Sequence, residues 1–259
     1  MRTITQSAPA QAPEPASPWQ LRFWTIWTGQ TLSLAGSALT QFVLIWWVTQ
    51  TTQSTRALAL AAVVALLPHA LLGPIGGTLA DRFNRRAILM AADGVSALCM
   101  LALIWLFQSG QVQLWQVYVL MAVRSSMQAF QQPALTASAA MLVPVTWIGR
   151  VAGLNQALGG IITIAAPALG ALSLAALPFQ GALMIDVVTA LLAVMLLLPF
   201  RIPQPQPDRT QRWSVWGDFV AGVQVVTKHR GLLALYAVVT LMVMLIMPVF
   251  NLIPLFVHN

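Results

Sequence analysis

Seven long apolar runs divide this chain, at about residues 22–49, 57–80, 87–108, 114–140, 150–176, 181–199 and 231–257. A bilayer core of about 30 Å takes roughly 20 helical residues, so each run predicts a membrane-spanning helix. The first and fourth runs exceed that minimum and have room to tilt. Residues 1–20, rich in Pro, Ala, Ser and Gln, predict a disordered cytosolic tail. The run that follows is too long for a signal-peptide core, and no small-residue cleavage pattern closes it. Between the sixth and seventh runs, residues 201–230 open Pro-rich and stiff. Trp213, Trp216, Phe219 and Val223 then recur at three- and four-residue steps, which predicts an amphipathic helix at the inner interface. The predicted organisation is a tail at 1–20, a six-helix bundle at 21–200, a cytoplasmic linker at 201–230 and a seventh span at 231–259.

Charge fixes the direction of threading. With the N-terminus inside, eleven of the thirteen Lys and Arg fall in inner turns and tails, Arg56 falls outside and Arg124 lies within a span. The opposite threading would reverse that bias, so the N-terminus is expected in the cytoplasm and residue 259 on the far side. The whole chain is 58% hydrophobic and 7% charged, against about 25% charged for a soluble domain. Its partner is therefore the lipid bilayer. The net charge of +7 sits in short turns between spans, which argues against a nucleic-acid partner. The single Cys99 allows no disulfide framework, and His69, His229 and His258 have no metal-ligand spacing. No HExxH, GxSxG or phosphate loop occurs, so neither an enzyme nor a cofactor is expected. Lys228, the sole lysine, precedes the last span, which leaves a retinal-type Schiff base unsupported.

Polar residues inside the spans are the candidate chemistry. Gly29, Ser33 and Ser37 follow one another at four-residue steps, a spacing that lets helices approach closely. Gln30, Gln41, Asn155 and Gln156 either bond neighbouring helices or line a substrate cavity. Pro68, Pro74 and the Gly73–Gly77 pair predict a kinked, closely packed second span, with His69 as a packing or hydrogen-bonding residue. Asp93 lies about 10 Å from the inner surface and Arg124 about 15 Å from the outer one, at 1.5 Å per residue. Intramembrane charges are functional candidates by default, although a fixed ion pair that only holds helices together has the same signature. Adjacency in a helical hairpin predicts that Arg124 pairs with Asp93. Asp186, about five residues below the outer surface, is expected to snorkel to headgroup water.

The stretch GPIGGTLADRFNRR, residues 73–86, gives G-x-L-A-D-R-x-x-R-R on Gly77, Leu79, Ala80, Asp81, Arg82, Arg85 and Arg86. This resembles the signature loop between helices 2 and 3 of the major facilitator superfamily of secondary transporters. Asn84 stands where that family usually has Gly, and a left-handed Asn is expected there. Arg124, within VYVLMAVRSSMQAF, resembles the helix-4 arginine of proton-coupled members. Gly159 to Gly170 resembles the helix-5 gate motif, with Pro167 and Gly170 matching and Ala166 and Ala171 in place of glycines. RFWTIWTGQTLSLAGSALTQF, AFQQPALTAS and MLVP are similar to the macrolide-efflux type.

The resemblance implies an all-α membrane protein. Its six-helix bundle would be two inverted three-helix repeats around a midplane cavity, followed by a seventh helix that begins a second bundle. It implies a multi-pass protein of the cell (inner) membrane that exports amphiphilic drugs, macrolides or siderophores in exchange for protons. In that reading Gly77, Asp81, Arg82, Arg85 and Arg86 form a conformational-switch loop, and Gly159, Pro167 and Gly170 a gate helix. Asp93 is the first candidate proton carrier and Asp186 the second, with Arg124 holding its neighbour ionised. Two alternatives are an importer of the same fold and a truncated, non-transporting chain that packs against a separate second half or itself. Alternating access needs two bundles, so the 259-residue chain alone is expected not to transport.

Overall fold

The computed structural model describes residues 19–200 continuously, Ile202, and scattered positions from Gly217 to Met242. The tail at 1–18, most of the linker and most of the seventh run lie outside the described residues. Six helices follow one another: α1 (Trp19–Thr52), α2 (Thr55–Arg82), α3 (Arg85–Gln108), α4 (Leu114–Leu142), α5 (Val145–Ala176) and α6 (Phe179–Leu197). Each falls on one of the first six apolar runs. Five are long and apolar enough to cross a membrane on their own composition. The remaining one, α4, is diluted by Arg124, Ser125, Gln128, Gln131 and Gln132. Arg124, Ser125 and Gln131 are buried, so much of that polarity turns into the protein. The chain forms two compact units, Met1–Pro207 and Asp208–Asn259. In the second, the described positions from Gly231 to Met242 are helical.

Short connections set the alternation of direction, and local chemistry stops each helix. Ser54 caps α2 by accepting from the Ala57 N–H. At the end of α3, Gly110 takes φ +68. The Gln111 N–H reaches the Leu106 carbonyl and the Gly110 N–H that of Phe107, the paired pattern that closes a helix with a left-handed glycine. Asn84 does not adopt the expected left-handed conformation. It sits at φ −62, ψ 104, and its Oδ1 accepts from the Ala87 N–H to cap α3. An Asn one residue before a helix satisfies an otherwise orphan donor, so the departure from Gly is a gain for α3.

Helix α1 packs on α5 and α6, α4 packs on α2 and α3, and α3 packs on α6. Exchanging α1 with α4, α2 with α5 and α3 with α6 carries the first four of these pairs into one another and leaves α3–α6 unchanged. Because each three-helix set has an odd number of spans, the second runs opposite to the first, as inverted repeats must. Glycines allow the tightest crossings. A Cβ on Gly36 would meet the Thr189 side chain of α6, and one on Gly76 the Ala129 carbonyl of α4. The Gly73–Gly77 pair was expected to make the close approach in α2. The contact falls instead on Gly76, and among the described residues nothing lies within 4 Å of a Cβ at Gly73 or Gly77.

Two apolar cores occupy the ends of the bundle. One holds Val43, Leu44 and Val48 of α1 with Met100, Leu103, Met121 and Leu183. The other holds Phe23, Ile26 and Trp27 with Leu89, Leu135, Leu142 and Leu197. Between them lies a buried polar layer.

Candidate functional site

Four helices contribute to that layer: Gln30, Ser33, Ser37 and Thr40 from α1, Asp93 and Ser96 from α3, Arg124, Ser125 and Gln131 from α4, and Asp186 and Thr189 from α6. The α1 residues recur at three and four positions and so share one face. Gln30 lies about 16 Å along the helix axis from Trp19, which places the layer near mid-depth of a bilayer-sized span.

Arg124 pairs with Asp186, not with Asp93. Its Nη2 lies 2.8 Å from Asp186 Oδ2, 3.2 Å from the Ser37 carbonyl and 3.2 Å from Thr40 Oγ1. Two facts of helix geometry overturn the expected pair. Helix α6 begins at Phe179, which sets Asp186 deeper than its position in the apolar run implied. It is fully buried and does not reach headgroup water. Counted back from Gln108, Asp93 is level with the next polar turn of α4, where Gln131 meets it. Three donors surround Asp93: Gln30 Nε2 at 2.8 Å, Ser33 Oγ at 2.7 Å and Gln131 Nε2 at 2.8 Å. Gln131 also donates to Gln30 Oε1 at 3.1 Å. Two buried acids therefore sit one helical turn apart along α1, one held by amides and a hydroxyl, the other by a guanidinium and the Ser37 hydroxyl at 2.9 Å.

A cavity of about 650 Å³ opens between α1, α2, α4 and α5. Its walls mix Phe42, Ile45, Leu158 and Ile162 with the carboxamides of Gln41, Gln128, Gln132 and Asn155. No Asp, Glu, Lys or Arg is among the described lining residues. Of the four sequence-predicted cavity residues, Gln41 and Asn155 line it. Asn155 Oδ1 also accepts from Trp27 Nε1 at 2.8 Å, tying α5 to α1. Gln30 does not line the cavity, because its amide is committed to Asp93. Gln156 is exposed and is not among the lining residues. Gly159 and Pro167 are in the cavity wall, whereas Gly170 takes the Phe42 ring of α1 against its backbone.

The turn between α2 and α3 is anchored unevenly. Arg85 is buried; its Nε donates to the Ala80 carbonyl at 2.8 Å, and its Nη1 to the Ala137 carbonyl at 2.9 Å and to Met141 Sδ at 2.7 Å. It clamps the turn to the end of α4. Arg86 Nη2 donates to the Leu198 carbonyl at 2.6 Å, at the end of α6. Asp81 is largely exposed and meets Arg85 at 3.6 Å. Arg82, the loop's remaining cation, is half-buried. Gly77 sits in open space among the described residues.

Sequence reasoning missed Ser37, Ser125 and Gln131. The first was read as a small residue for close packing, yet it belongs to both the cavity and the ion pair. Ser125 Oγ donates to the Ala65 carbonyl at 2.6 Å and accepts from the His69 N–H at 3.2 Å. It is inserted into the α2 ladder beside Pro68, and the Arg-Ser-Ser sequence of α4 was the available signal.

Comparison with known proteins agrees with this architecture. The chain is 35% identical over 241 residues to macrolide efflux protein A of Streptococcus pyogenes, covering 92% of this chain and 59% of that protein. It is 33% identical over 198 residues to macrolide efflux protein A of Enterococcus faecalis, covering 75% of this chain and 60% of that one. An uncharacterised MFS-type transporter of Bacillus subtilis is 27% identical over 184 residues, covering 68% of this chain and 42% of that protein. The chain thus spans under two thirds of the length of these relatives. Its residues 26–259 match the family pattern of the Major Facilitator Superfamily, and the chain belongs to that superfamily of multi-pass membrane transporters.

Proposed function

We propose that this chain supplies the substrate cavity and the proton-responsive layer of a secondary exporter of amphiphilic small molecules, with macrolides as the first class to test. One observation carries the reading. A drug-sized cavity, lined by aromatic, aliphatic and carboxamide groups, adjoins a polar layer that buries two carboxylates. Pockets of this size and mixed lining take drug-sized ligands. Acids buried at membrane depth serve ion pathways and proton relays. The relatives named for macrolide efflux support the ligand class. The threading, with a cytoplasmic N-terminus in the cell membrane, is part of the proposal and rests on the charge bias of the turns.

The test is accumulation of radiolabelled erythromycin in an efflux-deficient, macrolide-sensitive bacterium expressing the reading frame that carries this chain. Lower accumulation than in control cells, reversed by a proton uncoupler, is expected. Lower accumulation that persists in the uncoupler contradicts proton coupling. Unchanged accumulation contradicts the ligand class.

A further inference from the structure

We propose that Gln41 and His69 select the ligand. The class they select is an oxygen-rich amphiphile, which presents a carbonyl or ether oxygen to Gln41 and a hydroxyl to His69. The inference rests on the cavity reading above and deepens it. Both residues line the cavity, Gln41 from α1 and His69 from α2. Gln41 Nε2 and His69 Nδ1 are buried, and neither has a hydrogen-bond partner among the described residues.

Other polar groups of the wall are spent on the protein itself. The Ser37 hydroxyl donates to Asp186 Oδ1, and Asn155 Oδ1 accepts from Trp27 Nε1. The Thr136 and Thr163 hydroxyls donate to the Gln132 and Gly159 carbonyls one turn back. Buried polar atoms are nearly always paired, so an orphan calls for an explanation. Among the described residues, the orphan nitrogens of the cavity wall are these two. They stand on two helices that face one cavity, and a ligand in that cavity can reach both.

Local structure positions the two side chains. Gln41 follows Ser37 by one turn, so the two share a face of α1. His69 follows Pro68, and its backbone N–H donates to Ser125 Oγ at 3.2 Å, which fixes where the ring leaves α2. The terminal torsions of Gln and His are broad and roughly two-fold. Turning about them breaks no hydrogen bond of Nε2 or Nδ1 and brings each nitrogen from the wall to the ligand.

The chemistry of the two groups sets what they recognise. A carboxamide nitrogen only donates, so Gln41 Nε2 takes an acceptor oxygen. A neutral imidazole carries one donor and one acceptor nitrogen, and a hydroxyl, being both, meets Nδ1 in either tautomer. A ligand that supplies these partners also relieves the cost of leaving buried polar groups unpaired.

The test uses the protein expressed from the reading frame that carries this chain, in lipid nanodiscs, with erythronolide B as the probe. That macrolide ring bears carbonyl and hydroxyl oxygens. Its dissociation constant is expected to rise about tenfold in Gln41→Met and about tenfold in His69→Phe, one buried hydrogen bond each. The melting temperature of each variant is expected to equal or exceed that of the unaltered protein, because each removes a buried polar group that has no partner in the fold. Weaker binding with a lowered melting temperature would mean that the residue shapes the cavity, and would overturn its selecting role. Unchanged affinity in either variant would overturn the role of that residue while leaving the cavity reading intact. Tetraphenylphosphonium, which has neither donor nor acceptor, is expected to bind the unaltered protein more weakly than the ring. Equal or tighter binding of it would overturn the ligand class. No binding of either probe to the unaltered protein would overturn the cavity reading and this inference together.

Discussion

Arg124 and Asp186 meet at 2.8 Å in the interior of the bundle, each almost completely shielded. Burying two charges is worthwhile only when they satisfy each other, and removing one partner of such a pair is costly. The Arg124 guanidinium makes that dependence acute. Its Nε and Nη1 have no hydrogen-bond partner among the described residues, so Asp186 supplies most of what balances it.

Removing either partner should therefore destabilise the bundle by about 3–5 kcal/mol. Arg124→Met combined with Asp186→Leu should recover most of that loss, because no unpaired charge remains. Unfolding in mixed detergent measures it. A double variant as unstable as the sum of the singles would mean that the pair is not the dominant interaction of these residues.

The Ser125 hydroxyl is inserted at the rung next to the one that Pro68 removes from α2. Pro68 has no N–H to give the Val64 carbonyl, and one residue on Ser125 bridges the Ala65 carbonyl and the His69 N–H. Ser125→Ala should cost about 1–2 kcal/mol, the usual penalty of leaving buried partners unsatisfied. Pro68→Ala on that background should lessen the loss by letting α2 close its own ladder. Additive effects in the double-mutant cycle would show that the two residues act independently.

Gly76 and Gly77 are neighbours with opposite tolerances. A Cβ at position 76 runs into the α4 backbone at Ala129, which cannot turn aside. Gly76→Ala should thus cost about 1–3 kcal/mol through overpacking. Gly77→Ala should leave the melting temperature of the purified bundle unchanged or slightly raised, since Ala is the better helix former. A reversal of that order would mean α2 is rotated about its axis relative to α4.

Within the signature turn, Arg85 carries structure and Asp81 does not. Arg85→Lys loses the fork that reaches Ala80, Ala137 and Met141 together, which a single ammonium cannot reproduce. A loss of about 1–3 kcal/mol is expected, as for buried acceptors left unmade. Asp81→Asn breaks an exposed contact of 3.6 Å and should change stability by no more than about 0.5 kcal/mol. Thermal unfolding of the two variants side by side checks this contrast.

Hydropathy made the first six spans legible, because a bilayer-length apolar run has few other ways to satisfy its backbone. The short basic turn at Asp81–Arg86 was equally legible as a hairpin. What hydropathy does not encode is the rotation of each helix about its axis. That rotation sends Gln30 to Asp93 and Gln41 to the cavity, although both stood as equal candidates in one span. Depth counted from the end of an apolar run was also misleading. The two extra residues at the start of α6 move Asp186 inward and exchange the partner of Arg124. The serines of α1 have the spacing of a packing motif, and only the position of two acids on α3 and α6 reveals them as ligands of carboxylates.

The most direct test of the account is erythromycin uptake into inverted membrane vesicles from cells expressing the reading frame that carries this chain, under an imposed inside-acid gradient with the membrane potential clamped. The unaltered protein should concentrate the drug. Asp186→Asn, which cannot exchange a proton at the ion pair, should equilibrate the drug across the membrane without concentrating it, and Asp93→Asn should still concentrate it. Concentration by Asp186→Asn to the level of the unaltered protein would contradict the claim that the Arg124–Asp186 pair is where proton and ligand are coupled.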